Sequence, residues 1–178
     1  QLYETHRALL APFSEFASAS SKLYNHPLSP FAHAPMSQRV SAGFDLQVMT
    51  SDAADARRLL GAGAEFGLAV FTAPIPVVLG VTGHALAMGG ILTTCADYRV
   101  GSEGPFKIGL NEVAIGLTLP TFATELARER LSPRHLQRAA VLAEVYDGPG
   151  AVEAGFLDLV APADKVEGVA IEAASRLA

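Results

Sequence analysis

Pro76-Val77-Val78-Leu79-Gly80-Val81, followed closely by Gly83-His84-Ala85-Leu86-Ala87-Met88-Gly89-Gly90, is the stretch on which the fold turns. The first run is β-branched and apolar, which predicts a buried strand. Gly83 ends it, and the small residues from Ala85 to Ala96 predict a helix. Tyr98 to Val100 and Phe106 to Ile108 then read as two short strands. A buried strand leading through glycines into a helix brings free N–H groups and a helix dipole together. Gly89 and Gly90 allow backbone to approach backbone closely. Taken alone, the glycines are better explained by tight packing of a helix on a sheet.

Outward from this centre, strands keep alternating with helices. Upstream, Arg39 to Leu46 predicts a strand that turns at Gly43, with Asp45 capping the turn. Thr50, Ser51 and Asp52 offer capping side chains for a helix that runs to about Phe71 and stops before Pro74. Residues 1–16 have helical spacing at Leu2, Leu9, Phe13 and Phe16. Residues 17–38, broken by Pro27, Pro30 and Pro35, read as loop. Downstream, Pro120 opens a helix to Leu131, and Ser132-Pro133 starts another. Gly148-Pro149-Gly150 reads as a turn, Leu157 to Val160 as a strand, and Ala163 to Ala178 as a closing helix. The alternation predicts an α/β layered fold with mainly parallel pairing.

Composition narrows the function classes. The chain has 178 residues, half of them hydrophobic and 17% charged, which suits a domain with a real core. A formal net charge of -5 argues against a nucleic-acid partner. The longest apolar stretch, Phe66 to Val81, is interrupted by Thr72, Pro74 and Pro76 and is too broken to span a bilayer. Cys95 is the only cysteine, so no intramolecular disulfide forms, which fits a reducing, cytoplasmic setting. No basic-then-apolar leader opens the chain. Gln1 is not an initiator methionine, which predicts a fragment or a processed product. The histidines show no spacing for a metal site.

Three segments carry a resemblance. They are Ser41-Ala42-Gly43-Phe44-Asp45-Leu46; the Pro76–Gly90 stretch with Ala96-Asp97-Tyr98-Arg99; and Ile108-Gly109-Leu110-Asn111-Glu112-Val113-Ala114-Ile115-Gly116. In order and spacing they resemble the crotonase superfamily, the enoyl-CoA hydratase/isomerase family, over about residues 39–160. The pairing of His84-Ala85 and Ala87-Met88-Gly89 with Asn111–Gly116 is similar to a bacterial subgroup usually named enoyl-CoA hydratase. The resemblance implies a spiral of ββα units with C-terminal helices and acyl-CoA thioester substrates. It implies no separate cofactor, since coenzyme A is part of the substrate, and assembly as a homotrimer or hexamer. The expected division is an atypical N-terminal helix and loop over 1–38, a core with the active site over 39–130, and a C-terminal helical region over 131–178. The family's opening strands are missing from residues 1–38.

The resemblance also implies roles. The backbone amides of Ser41 and Met88 fall where the family places the two donors that meet a thioester oxygen. Glu112 falls on a catalytic glutamate position. Pattern alone makes Glu112 an ordinary carboxylate at a strand end, but its apolar followers Val113, Ala114 and Ile115 suggest partial desolvation, which raises a carboxyl pKa. Typical hydratases have a second glutamate just after the Gly-Gly pair; here that position is Ile91. His84 either lines the pocket or sits as a boundary residue. Gly89, Asn111 and Thr118 are further pocket residues, with Asn111 orienting Glu112 or serving a turn. Subgroup resemblance predicts a 2-enoyl-CoA hydratase working through an enolate. The lone Glu112 suits a Δ3,Δ2-enoyl-CoA isomerase better, and Ile91 with the unusual N-terminus leaves a catalytically silent acyl-CoA-binding subunit open.

Overall fold

A computed structural model of the chain describes residues 39–41 and 43–177. The helix and loop expected over 1–38, and Ala42, lie outside the described residues. Residues 44–69 form one compact unit, and residues 39–41, 43 and 70–177 form the other.

The first unit holds two helices. Helix α1 spans Leu46–Ser51, and Asp45 is its N-cap, its carboxylate accepting from the Gln47 N–H at 2.8 Å. The strand expected to reach Leu46 therefore ends earlier: β1 is only Arg39–Ser41. An Asp with extended backbone beside an orphan N–H starts a helix rather than extending a strand. Helix α2 follows over Ala53–Phe71, as its capping residues predicted.

The second unit contains two sheets. Strands β2 (Val78–Val81), β4 (Tyr98–Ser102) and β7 (Leu159–Ala161) form one, in the order β2-β4-β7, all parallel. Helix α7, Val166–Leu177, packs on it through Val166, against Val100 and Ala161. The neighbouring strands β4 and β7 are tied by charge at their starts. The Arg99 guanidinium donates to Asp158 Oδ1 at 2.8 Å, and the Arg99 main-chain N–H donates to Oδ2 at 2.7 Å. Burial lowers the pKa of Arg99, and Asp158 pulls it back up.

The other sheet carries the site. Its order is β1-β3-β5-β6, with β3 at His84–Leu86, β5 at Ile108–Gly109 and β6 at Val145–Tyr146. β1 and β5 both run parallel to β3, while β6 runs antiparallel to β5. Ala85 and Leu86, expected to open a helix, lie instead in β3, an inner strand of this sheet. Ala85 is fully buried between Ser41 and Ile108, its Cα partners on either side. Pairing on both edges overrides the helix propensity of Ala and Leu.

Helix α3 therefore starts later, at Met88, and ends at Cys95. It is buried almost all round, and Thr93 and Thr94 satisfy their hydroxyls by donating to the Gly90 and Ile91 carbonyls at 2.7 and 2.6 Å. Helices α4 (Thr121–Arg130) and α5 (Pro133–Ala140) match expectation. Gly148–Ala154 is a helix, α6, not a turn. Asp147 caps it by accepting from the Gly150 N–H at 2.8 Å, and Pro149 lies in the first turn, where its missing N–H costs nothing.

Candidate active site

Three backbone segments converge at the end of β3. Ser41 closes β1 and pairs with Ala85. A methyl built on Gly89 would come 2.4 Å from the Ser41 carbonyl oxygen, so only glycine lets the start of α3 lie against β1 there. Ala87, between β3 and α3, donates its N–H to the Gly109 carbonyl at 3.1 Å. Gly109 ends β5, and Asn111 and Glu112 follow within three residues. The same sheet register thus ties Ser41, the Ala87–Met88 turn and the Asn111–Glu112 step together.

Met88 is fully buried and is the first residue of α3. A first-turn N–H has no partner inside its own helix. The Ala87 carbonyl accepts from Ile91 at 2.9 Å. The Met88 N–H belongs to that same planar peptide and so points the opposite way, out of the helix start.

Glu112 is 7% exposed, and among the described residues its Oε2 atom has no hydrogen-bond partner. Burial raises its pKa above the ordinary carboxylate value, while its own main-chain N–H pulls the other way. The residues invoked for its desolvation are themselves exposed: Val113 and Ile115 stand on a short 3-10 turn over Val113–Ile115. Along the chain, the buried residues near Glu112 precede it: Leu110 and the β5 strand. Asn111 Oδ1 is likewise buried without a partner.

Ile91 is 1% exposed on the first turn of α3. No carboxylate stands there. His84 is half-buried; its Nδ1 accepts from the Lys107 N–H at 3.0 Å and its ring meets Phe106 edge-on at 5.8 Å. The proton of the neutral ring is therefore on Nε2. This bond ties β3 to the segment entering β5. Thr118 is exposed, beyond the short turn. Cys95 is buried, and desolvation pushes its thiol up to about 12 despite Arg130 nearby, which leaves it inert as a nucleophile. Ala87, part of the quoted motif but not among the expected site residues, is the added residue of interest. Its backbone conformation, φ 49° and ψ −120°, is rare outside glycine.

The profile of the enoyl-CoA hydratase/isomerase family matches residues 36–178. The chain belongs to that family, within the crotonase superfamily, and the fold is crotonase-like. A solved enoyl-CoA hydratase/isomerase family protein from Pseudomonas syringae is 42% identical with a TM-score of 0.77, over 79% of this chain and 61% of that one. A structure of an enoyl-CoA hydratase from Mycobacterium ulcerans is 42% identical with a TM-score of 0.74, over 77% and 60% of the two chains. The peroxisomal enoyl-CoA delta isomerase 2 of Arabidopsis thaliana is 31% identical over 138 residues, 74% of this chain and 57% of that protein. The chain thus spans little more than half the length of these relatives. Among the described residues, no helix is long and apolar enough to cross a membrane, and no cluster of His, Cys, Asp and Glu is placed to hold a metal ion.

Proposed function

We propose that the protein is a Δ3,Δ2-enoyl-CoA isomerase, with Glu112 as its single acid/base. The observation that carries this reading is one buried carboxylate, Glu112, with the buried apolar Ile91 in the place of a second. Ionised Glu112 takes a C2 proton from a 3-enoyl-CoA thioester. The C2–H bond breaks and its electrons delocalise onto the thioester oxygen as a dienolate. Glu112 then returns the same proton to C4, leaving the double bond between C2 and C3. No water is consumed, so one carboxyl group suffices. The amides of Ser41 and Met88 are assigned to the developing oxyanion, where each such donor contributes about 2.7–4 kcal/mol. The Arabidopsis relative named as a delta isomerase agrees with this reading.

A second reading is 2-enoyl-CoA hydration. It is favoured by two unpartnered acceptors on consecutive residues, Asn111 Oδ1 and Glu112 Oε2, each of which can accept from a water molecule, and by the hydratase name of the M. ulcerans relative. The two readings part on substrate. With a 3-enoyl-CoA, the isomerase produces the conjugated thioester absorbance; with crotonyl-CoA, a hydratase consumes it. The expected result is fast production and slow consumption. The reverse order would replace the isomerase reading by the hydratase one, and tight acyl-CoA binding without turnover would leave a silent binding subunit.

The Ile91→Glu variant sharpens the contrast. A second carboxylate beside the Gly-Gly pair is expected to raise crotonyl-CoA hydration by about tenfold or more, within the range a positioned acid/base supplies. Placing a carboxyl group at a fully buried position also lowers Tm. Hydration unchanged in a folded Ile91→Glu protein would show that the missing carboxylate is not what separates the reactions.

A further inference from the structure

Ala87 is one of two non-glycine residues with positive φ among the described residues, the other being Ala143 in the loop before β6. Its φ of 49° and ψ of −120° match the first central position of a type II′ turn, where glycine is the usual residue. Such strain persists only where the surroundings hold it, and it gathers at functional sites. Here the surroundings hold it on three sides. The Ala87 N–H is bonded to the Gly109 carbonyl at 3.1 Å, and its carbonyl to the Ile91 N–H at 2.9 Å. Its methyl lies against Gly43: a Cβ built there would stand 2.8 Å from the Ala87 Cβ. Gly43 in turn donates its N–H to Ser41 Oγ at 3.2 Å.

We infer that Ala87 is a positioning residue, whose methyl, braced on Gly43, sets the spacing between the two main-chain amides of Ser41 and Met88. The inference rests on the reading above in which those amides receive a thioester oxygen. Its logic is geometric. Ala87 ψ sets the plane of the peptide whose N–H is that of Met88. The methyl carries this constraint to Gly43, two residues from Ser41. Glycine at 87 would adopt the same backbone more comfortably, so alanine here is the less stable choice. Removing the methyl relieves strain but unlocks the two segments from one another.

The test compares wild type, Ala87→Gly and Glu112→Gln with a 2,4-dienoyl-CoA probe. The absorption band of a conjugated thioester moves to longer wavelength when two N–H donors polarise its carbonyl. Ala87→Gly is expected to keep or raise Tm and to bind the probe within about twofold of wild type. Most of the band shift should vanish, and 3-enoyl-CoA turnover should fall by roughly 10- to 100-fold, toward the loss of one donor. Glu112→Gln should keep the shift and lose turnover. An Ala87→Gly protein with the full shift and full turnover overturns the inference and leaves the isomerase reading intact. So does a lower Tm with an unchanged shift, which would mark the methyl as packing only. If wild type shifts the band yet isomerises nothing, and Ala87→Gly loses the shift, the reaction is wrong and the role of Ala87 stands. If wild type binds the probe with no shift, the amide donors and the role of Ala87 fall together.

Discussion

Replacing Glu112 by glutamine is expected to lower kcat for 3-enoyl-CoA isomerisation by roughly 10²–10⁴-fold, the usual contribution of a positioned acid/base, with little change in acyl-CoA affinity. The amide fills the same space and cannot take a proton. The same variant is expected to be more stable than wild type at neutral pH, and the direction follows from burial. The folded chain holds the Glu112 proton to a higher pH than the unfolded chain, whose group titrates near the ordinary 4.5. Stability from this group is fully present below that value and is lost as pH rises through the raised folded pKa. Glutamine carries no such dependence. Its advantage should therefore appear in thermal melts above the raised pKa and disappear in acid. Wild-type turnover should fall on the acid side of the same raised pKa, because the proton-accepting form is the ionised one. A glutamine variant with wild-type turnover would remove Glu112 from the mechanism, whatever its stability.

The second large effect concerns Gly90. A methyl there would stand 2.4 Å from the Gly109 carbonyl oxygen, 3.0 Å from its carbon and 3.4 Å from the Ala85 oxygen. All three are backbone atoms of paired strands, so none can rotate aside. Gly90→Ala is expected to cost about 3 kcal/mol, the upper part of the usual overpacking range. That corresponds to a fall in Tm of roughly 10 °C for a chain of this size. Turnover should fall with it, since Gly109 leads directly into Asn111 and Glu112. Gly168→Ala is the matched control. Gly168 lies in helix α7 with nothing within 4 Å of an added methyl, so this substitution should be neutral or slightly stabilising. Equal melting curves for Gly90→Ala and wild type would mean that α3 can lift off β5 and that the close packing has no energetic weight.

Much of the layered architecture was legible because local and global preferences agree. Val77 to Val81 is apolar and β-branched and gives the strand β2, though as an edge strand in which only Val81 is buried; Ser132-Pro133 opens α5 as helix-start chemistry requires. The departures share a cause in long-range pairing or in capping that outweighs composition. Ala85 and Leu86 are good helix formers held as a strand by β1 and β5. Val145–Tyr146 is too short to announce itself and exists through its pairing with Ile108–Gly109. Gly148-Pro149-Gly150 has turn composition, yet Asp147 makes it a helix start. The site was legible mainly through family motifs. Glu112 is buried as expected, although the apolar Val113 and Ile115 that follow it are themselves exposed. Nothing in the residue type of Ala87 announces its backbone conformation; an alanine carries no sign of the φ that its neighbours force on it.

The short pairing of β6 with β5 has a consequence for how the protein is made. Residues 145–146 flank the strand that leads to Glu112, and the Glu144 carbonyl lies 2.9 Å from where a Gly109 methyl would stand. A ribosome delivers residue 112 well before residue 146. The edge of the sheet beside Gly109 is therefore completed only when this later strand emerges, and a half-synthesised chain holds Glu112 behind a strand that still lacks its antiparallel partner.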